Sequence, residues 1–310
     1  MLISKNISIL VTGASGFIGS HTIERLVSIG CTVAILKRPN SDFSRIEHLL
    51  HKVKIFSIED GLEIVFQNFR VDYVLHLATL YKKFDATGDV EDMIEANISF
   101  PVKLLELGIQ SDLKGFINTG TFFEYDCSIL PVNESAQTLP YNFYAKTKLA
   151  FESFLQSYSN KLNINTFRLF SPYGERDNYK LIPMIIQKAL SKETIKLSDG
   201  MQKLDFIYVL DIVDAYIKAL EEMSQLNQVG SYSMFNLGNG IPISVREIVS
   251  VIEQHLGESL DVVWGDPSVL DIPVVYADIS KIKRELSWQP SYSIHQGIAK
   301  TIEFYRKKDI

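Results

Sequence analysis

The spacing of three glycines constrains this chain more than any other feature. Val11-Thr12-Gly13-Ala14-Ser15-Gly16-Phe17-Ile18-Gly19 joins an apolar run to a helical pattern. In such a turn Gly13 reverses the chain, Gly16 lets backbone approach a ligand and Gly19 lets the helix pack on the strand. The helix then begins with free N–H groups, from Phe17 and Ile18 onward, at the positive end of its dipole. Ser15 adds a hydroxyl donor. This geometry suits a pyrophosphate, so Gly13, Ser15, Gly16, Phe17, Ile18 and Gly19 are the expected contacts of a dinucleotide.

The flanking pattern supports that reading. Apolar runs at Ile7–Thr12, Thr32–Leu36, Val53–Ser57, Tyr73–Leu77, Gly115–Thr119 and Asn165–Leu169 barely alternate. Strands buried on both faces look like this. Helical patterns at Phe17–Ile29, Ser41–Leu50, Leu62–Phe69, Asp92–Gln110 and Phe143–Tyr158 lie between them. Strand–helix alternation predicts an α/β Rossmann fold with a doubly wound parallel sheet. After Phe170 the rhythm breaks at Ser171-Pro172-Tyr173-Gly174. Helices follow at Ile182–Leu190 and Val245–Leu256, with a strand and helix over Phe206–Leu220. A short strand at Asp261–Trp264 precedes two turn-rich helices ending at Tyr305. The expected division is residues 1–171 and 205–240 for the Rossmann domain. Residues 172–204 and 241–310 form a smaller interleaved C-terminal substrate domain.

Composition narrows the partners. The chain has 310 residues, 46% of them hydrophobic, enough for a full core. Its net charge of -6 offers no basic footprint for nucleic acid or anionic lipid. No apolar stretch approaches a membrane span, and Met1–Asn6 leads into a strand without a signal-peptide core. Cys31 and Cys127 form no CxxC and no disulfide framework, so a cytoplasmic setting is expected. His48 and His51 share a helical pattern with no further ligand candidate, so no metal site is expected.

A ribose with a free 2′-hydroxyl usually meets an acid about 20 residues beyond the glycines. Here the second strand ends in Lys37-Arg38, and no acid appears before Asp42. Cations suit a 2′-phosphate, which favours NADP(H) over NAD(H). Glu59 or Asp60, after the third strand, can accept a hydrogen bond from the adenine amino group. Far along the chain, Tyr144 and Lys148 lie i, i+4 on one helix face. A neighbouring ammonium favours the phenolate and is expected to lower the phenol's pKa. Thr121, just past a strand end, stands where a hydroxyl partner for a substrate oxygen belongs.

Together these motifs resemble the extended short-chain dehydrogenase/reductases. The resemblance covers nearly the whole chain: Thr12–Gly19, His76-Leu77-Ala78-Thr79, Asn97, Thr119-Gly120-Thr121 and Tyr144–Lys148. It continues through Arg168–Gly174, Phe206–Asp211, Ala277–Lys281 and Leu286–Pro290, segments similar to the nucleotide-sugar branch. It implies Thr121, Tyr144 and Lys148 as the catalytic trio, with Leu77, Ala78, Thr79 and Asn97 at the cofactor groove. It also implies a nucleotide-diphosphate sugar as substrate and a homodimer built through Asp92–Gln110 and Phe143–Tyr158.

Residues after Thr121 restrict the reaction. Sugar dehydratases of the family carry Thr-Asp-Glu, whereas this chain has Thr121-Phe122-Phe123, and Phe cannot transfer protons. Cys127 is displaced from the position a reductase-epimerase uses. Simple hydride transfer at a ring carbon remains. It fits an NADPH-dependent 4-ketoreductase or a 4-epimerase that retains NAD, and Lys37-Arg38 favours the first. The narrower resemblance is to the CDP-abequose and CDP-paratose synthases, 4-ketoreductases of deoxysugar biosynthesis. Phe122 or Phe123 offers an apolar wall to the sugar. Ser171 replaces a common Asn at the diphosphate. Leu204 replaces a common Arg, and Lys203 is placed to supply its charge.

Overall fold

In the computed structural model the described residues are 7–82, 89–177, 180–226, 228–267 and 272–308. Met1–Asn6 lies outside them. The chain packs into two units. The first comprises Met1–Asp126, Ser135–Leu169 and Val213–Phe235; the second Cys127–Glu134, Phe170–Ile212 and Asn236–Ile310.

The first unit is built on strands β1 (Ser8–Thr12), β2 (Thr32–Lys37), β3 (Lys54–Ser57), β4 (Tyr73–His76), β5 (Gly115–Thr121) and β6 (Asn163–Leu169). Helices α1 (Phe17–Ser28), α2 (Glu63–Asn68), α3 (Asp89–Ile94), α4 (Phe100–Gln110) and α5 (Phe143–Ser157) run between them. A seventh strand, Ser231–Leu237, completes one sheet in the order Ser231–Leu237, β6, β5, β4, β1, β2, β3. The pairings β1–β2, β1–β4, β2–β3, β4–β5 and β5–β6 are all parallel. The expected Rossmann fold is therefore present. β1 and β6 are buried almost throughout, which explains their unbroken apolar character. Leu10, Val74 and Phe116 from β1, β4 and β5 pack with Leu104 and Phe151 from the helices. Strand order reverses between β1 and β4, the place where open α/β sheets bind their ligands.

Three elements depart from expectation. The helix expected at Ser41–Leu50 is only a 3₁₀ turn, Glu47–Lys52. Its first residues hydrogen-bond their own side chains instead. Arg38 N–H donates to Ser41 Oγ, and Ser44 N–H and Oγ donate to the Asp42 carboxylate. The Asp92–Gln110 helix starts earlier, at Asp89, and contains a π-helical turn, Glu95–Ser99. Pro101 follows after one residue, Phe100; proline has no N–H for the preceding turn and crowds it, so the ladder widens there. The strand Ser231–Leu237 was not among the expected strands, because only its last three residues are fully buried.

The second unit holds small sheets. Lys203–Asp205 pairs with Pro242–Ser244 and Val274–Val275, and Ile195–Leu197 with Val262–Trp264. Among its helices, Val245–Leu256 begins with a capping box, Ser244 with Glu247, and ends at Gly257 in the left-handed region.

Candidate active site

The glycine turn is as tight as backbone permits. Gly13 has φ +72°, and a Cβ there would stand 2.7 Å from the main chain of both Leu77 and Ala78. A larger residue would push β1 off the loop after β4. Gly19 packs so closely on the turn that a Cβ would fall 2.1 Å from the Gly13 carbonyl. α1 starts at Gly16 with no side-chain cap and no acid in its first turn. Its leading N–H groups and positive dipole end thus suit an anion. Leu77, Ala78 and Thr79 form the opposing wall, and Ala78 N–H donates to Thr12 Oγ1 at 3.2 Å.

Lys37 and Arg38 are exposed at the end of β2, and Asp60 is exposed in the turn after β3. A further cation that motif reading passed over joins this edge. Arg45 Nη1 donates to the Ser15 carbonyl oxygen at 3.2 Å, which brings a guanidinium against the phosphate turn. No spacing rule marks Arg45, because its approach depends on the irregular chain between β2 and the 3₁₀ turn. The uncapped helix and the close turn fit the pyrophosphate of a dinucleotide.

Asn97 sits in the π-helical turn, 1% exposed. Its Oδ1 accepts from Thr79 Oγ1 at 3.0 Å and Leu80 N–H at 2.8 Å. Its Nδ2 donates to the Leu80 carbonyl at 2.9 Å and to Thr147 Oγ1 at 3.0 Å. The amide has spent its capacity. It therefore braces the groove wall against α5 and has no hydrogen bond left for a cofactor.

α5 is started by Asn142, whose Oδ1 accepts Ala145 N–H at 2.9 Å. Tyr144 stands in its first turn, hydrogen-bonded to Thr79 and edge-on to Tyr81 at 4.9 Å. Burial pushes its phenol pKa above the ordinary value, the Glu124 and Tyr81 charges add to this, and the Thr79 hydrogen bond opposes it. The expected lowering by Lys148 is not seen. The Lys148 ammonium faces two carboxyls instead: burial pulls its pKa down, and Glu124 and Glu152 push it back up.

Thr121 ends β5 and caps the turn Phe122–Glu124. Its N–H donates to Glu124 Oε1 at 2.7 Å, and its Oγ1 accepts Phe123 N–H at 3.4 Å. Glu124 is thus coupled to Thr121 by a hydrogen bond and to Tyr144 and Lys148 by charge. Phe122 is buried, whereas Phe123 is partly exposed and stacks on Tyr141 at 5.4 Å. Ser171 and Lys203 belong to the second unit. The Ser171 carbonyl accepts Ile207 N–H at 3.3 Å, and Lys203 starts an exposed strand end.

Residues 9–238 match the NAD dependent epimerase/dehydratase family. The chain belongs to this family. Among its relatives, the CDP-abequose synthase of Salmonella muenchen is 29% identical over 304 residues, 97% of this chain and 99% of that protein. The UDP-glucose 4-epimerase of Caenorhabditis elegans is 26% identical over 333 residues, 94% of this chain and 95% of that protein. In the solved structures, a UDP-glucose 4-epimerase from Stenotrophomonas maltophila with bound NAD and formylated UDP-arabinopyranose superposes with a TM-score of 0.89. It is 25% identical and covers 98% of this chain and 99% of that one.

Proposed function

We propose that this protein reduces the C4 keto group of a nucleotide-activated 4-keto-deoxyhexose, CDP- or dTDP-linked, with NADPH. The observation that carries the reading is the state of Tyr144. The phenol stands in the first turn of α5, edge-on to Tyr81, and it is protonated at neutral pH, so it has a proton to give to the reduced oxygen. Nothing at positions 122 and 123 can move a second proton. Glu124, the nearest carboxyl in sequence, has no exposed surface and is committed to the Thr121 N–H, so elimination of water is disfavoured.

In this mechanism NADPH, when bound, would supply a hydride to C4, and Tyr144 would give the C4 oxygen its proton. The Thr121 hydroxyl donates to the same oxygen while the charge develops. Lys148 would hold the nicotinamide ribose and return positive charge to the site as Tyr144 loses its proton. Gly13–Gly19 would seat the pyrophosphate. Lys37, Arg38 and Arg45 would hold the 2′-phosphate, and Asp60 would take the adenine amino group. Phe123 lines the deoxy side of the sugar. Ser171 and Lys203 are the proposed contacts of the nucleotide diphosphate. The protein works in the cytoplasm; burial raises the Cys31 thiol to about 11, which keeps it unreactive there. It assembles as a dimer through α3–α4 and α5, where Ile94 and Phe154 lie exposed.

Mixing purified protein, NADPH and a panel of CDP- and dTDP-4-keto sugars tests the reading. Loss of the reduced-nicotinamide absorbance is expected; no turnover across the panel rejects it. The second reading, a 4-epimerase retaining NAD, draws on the similarity to UDP-glucose 4-epimerases. It requires that denaturation of the purified protein release oxidised NAD.

A further inference from the structure

The buried charge beneath Thr121 exceeds what a helical cap needs. Glu124 is 0% exposed, Glu152 1%, Lys148 2% and Arg168 3%. Arg168, from β6, lies between the two carboxyls. Its Nε is 3.1 Å from Glu124 Oε2, and its Nη2 is 2.6 Å from Glu152 Oε2. Its guanidinium covers the Tyr125 ring at 4.3 Å. The two carboxyls converge over Gly120. A Cβ there would stand 2.7 Å from Glu152 Oε1 and 2.9 Å from Glu124 Oε1. Any side chain at position 120 would therefore drive them apart. Two buried carboxyls this close disfavour each other's ionisation, and this raises the Glu124 pKa.

We infer that Glu124 is a positioning residue for the reaction: it pins the Thr121 main chain from below and, packed against Glu152 and Arg168, sets the charge that Tyr144 and Lys148 face. This rests on Thr121, Tyr144 and Lys148 performing the proposed chemistry. The groups facing Glu124 come from every element packed on it: the Thr121 N–H from β5, Tyr144, Lys148 and Glu152 from α5, Arg168 from β6, and Tyr125 beside it in the chain. Burial and Glu152 push the Glu124 pKa well up, and Arg168 opposes them. While Glu124 stays protonated, it adds no charge beside Arg168 and Lys148. Once it ionises, a negative charge lies near Tyr144 and makes the phenol a poorer acid. Proton delivery then weakens as pH rises through the Glu124 ionisation.

Glu124→Gln keeps the size of the side chain and an acceptor for the Thr121 N–H, but cannot ionise. The alkaline limb of the kcat profile with NADPH and the keto sugar should move up by one pH unit or more, with KM unchanged. A purely structural Glu124 would lower the unfolding midpoint and leave the profile in place. Superimposed profiles from a folded variant overturn the proposal. Infrared difference spectroscopy provides a second arm that needs neither turnover nor this variant. The unmodified protein at pH 7 should show a protonated-carboxyl stretch that Glu152→Gln removes; its absence overturns the proposal. If Tyr144→Phe keeps full activity, or the unmodified protein turns over no keto sugar, the functional reading fails and the infrared arm alone decides Glu124.

Discussion

Asp205, in the second unit, and Glu124, in the first, are both carboxylates with no exposed surface, yet they spend their oxygens differently. Asp205 accepts three main-chain N–H groups: Asn239 at 2.6 Å, Gly240 at 2.9 Å and Ala277 at 3.0 Å. Nearby in sequence, Asp211 accepts the Ser291 N–H and hydroxyl and the Tyr292 N–H. Each ties together segments distant in the chain. Glu124 takes one main-chain N–H and otherwise meets Arg168, Glu152 and the field of Lys148. Backbone donors cannot lose their protons, so a carboxylate fixed by them is a clamp. A carboxylate among titratable side chains has a charge that depends on its neighbours, and that dependence is of use only beside a reacting group. The second unit thus uses buried acid to hold loops, and the first uses it under Thr121.

The largest expected effect lies on the first side of this contrast. Tyr144→Phe should lower kcat about a thousandfold, within the range for loss of a general acid, while the unfolding midpoint stays unchanged. A variant that kept its rate would strip the first-unit cluster of its chemical purpose. Asp205→Ala should do the reverse. It orphans three buried donors at a cost of about 3 kcal/mol, read by denaturant unfolding, with kcat of the folded fraction unaltered. The pH dependence sharpens the same point. Burial raises Asp205 from 3.8 to about 6 in the folded protein, against the three N–H bonds that lower it. The folded state then binds the proton more tightly than the unfolded state between these values. The stability due to this group is full below the lower value and declines as pH rises to about 6. Asp205→Asn should flatten that slope; an unchanged slope would mean that other groups produce it.

Smaller effects follow at the cofactor edge and on the surface. Arg45→Ala should weaken NADPH about tenfold while leaving NADH within twofold, measured by quenching of protein fluorescence, since only a 2′-phosphate needs a guanidinium there. Equal loss for both would make Arg45 a support of the Ser15 turn alone. Glu303→Gln breaks an exposed i, i+4 pair with Lys307, and the unfolding midpoint should not move.

Much of the fold could be read from the chain, because strands buried on both faces leave unbroken apolar runs. Tyr73–His76 and Asn163–Leu169 are buried at every position. Ser231–Leu237 was harder, since half of it is only partly buried and its pattern mixes Ser, Tyr and Asn. The Ser41–Leu50 stretch misled because Ser41, Asp42 and Ser44 draw the backbone into local turns that hydropathy does not register. At the site, spacing alone puts Tyr144 and Lys148 on one helix, and α5 carries both. It could not reveal that Lys148 faces carboxyls instead of setting the phenol's pKa. That outcome depends on Glu124 and Arg168, which other elements bring in. Asn97 stood in a motif, but its partners at Leu80 and Thr147 appear only once the loop and α5 meet. Arg45 belonged to no motif at all.

The central claim is that hydride passes from NADPH to the C4 carbon of a keto sugar and stays there. The most direct measurement uses NADPH labelled with deuterium at the transferred position, with mass and proton spectra of the sugar product. Reduction predicts one deuterium at C4, one oxidised cofactor per sugar, and no product from Tyr144→Phe. An unlabelled C4 epimer formed with no consumption of the labelled cofactor would contradict the account.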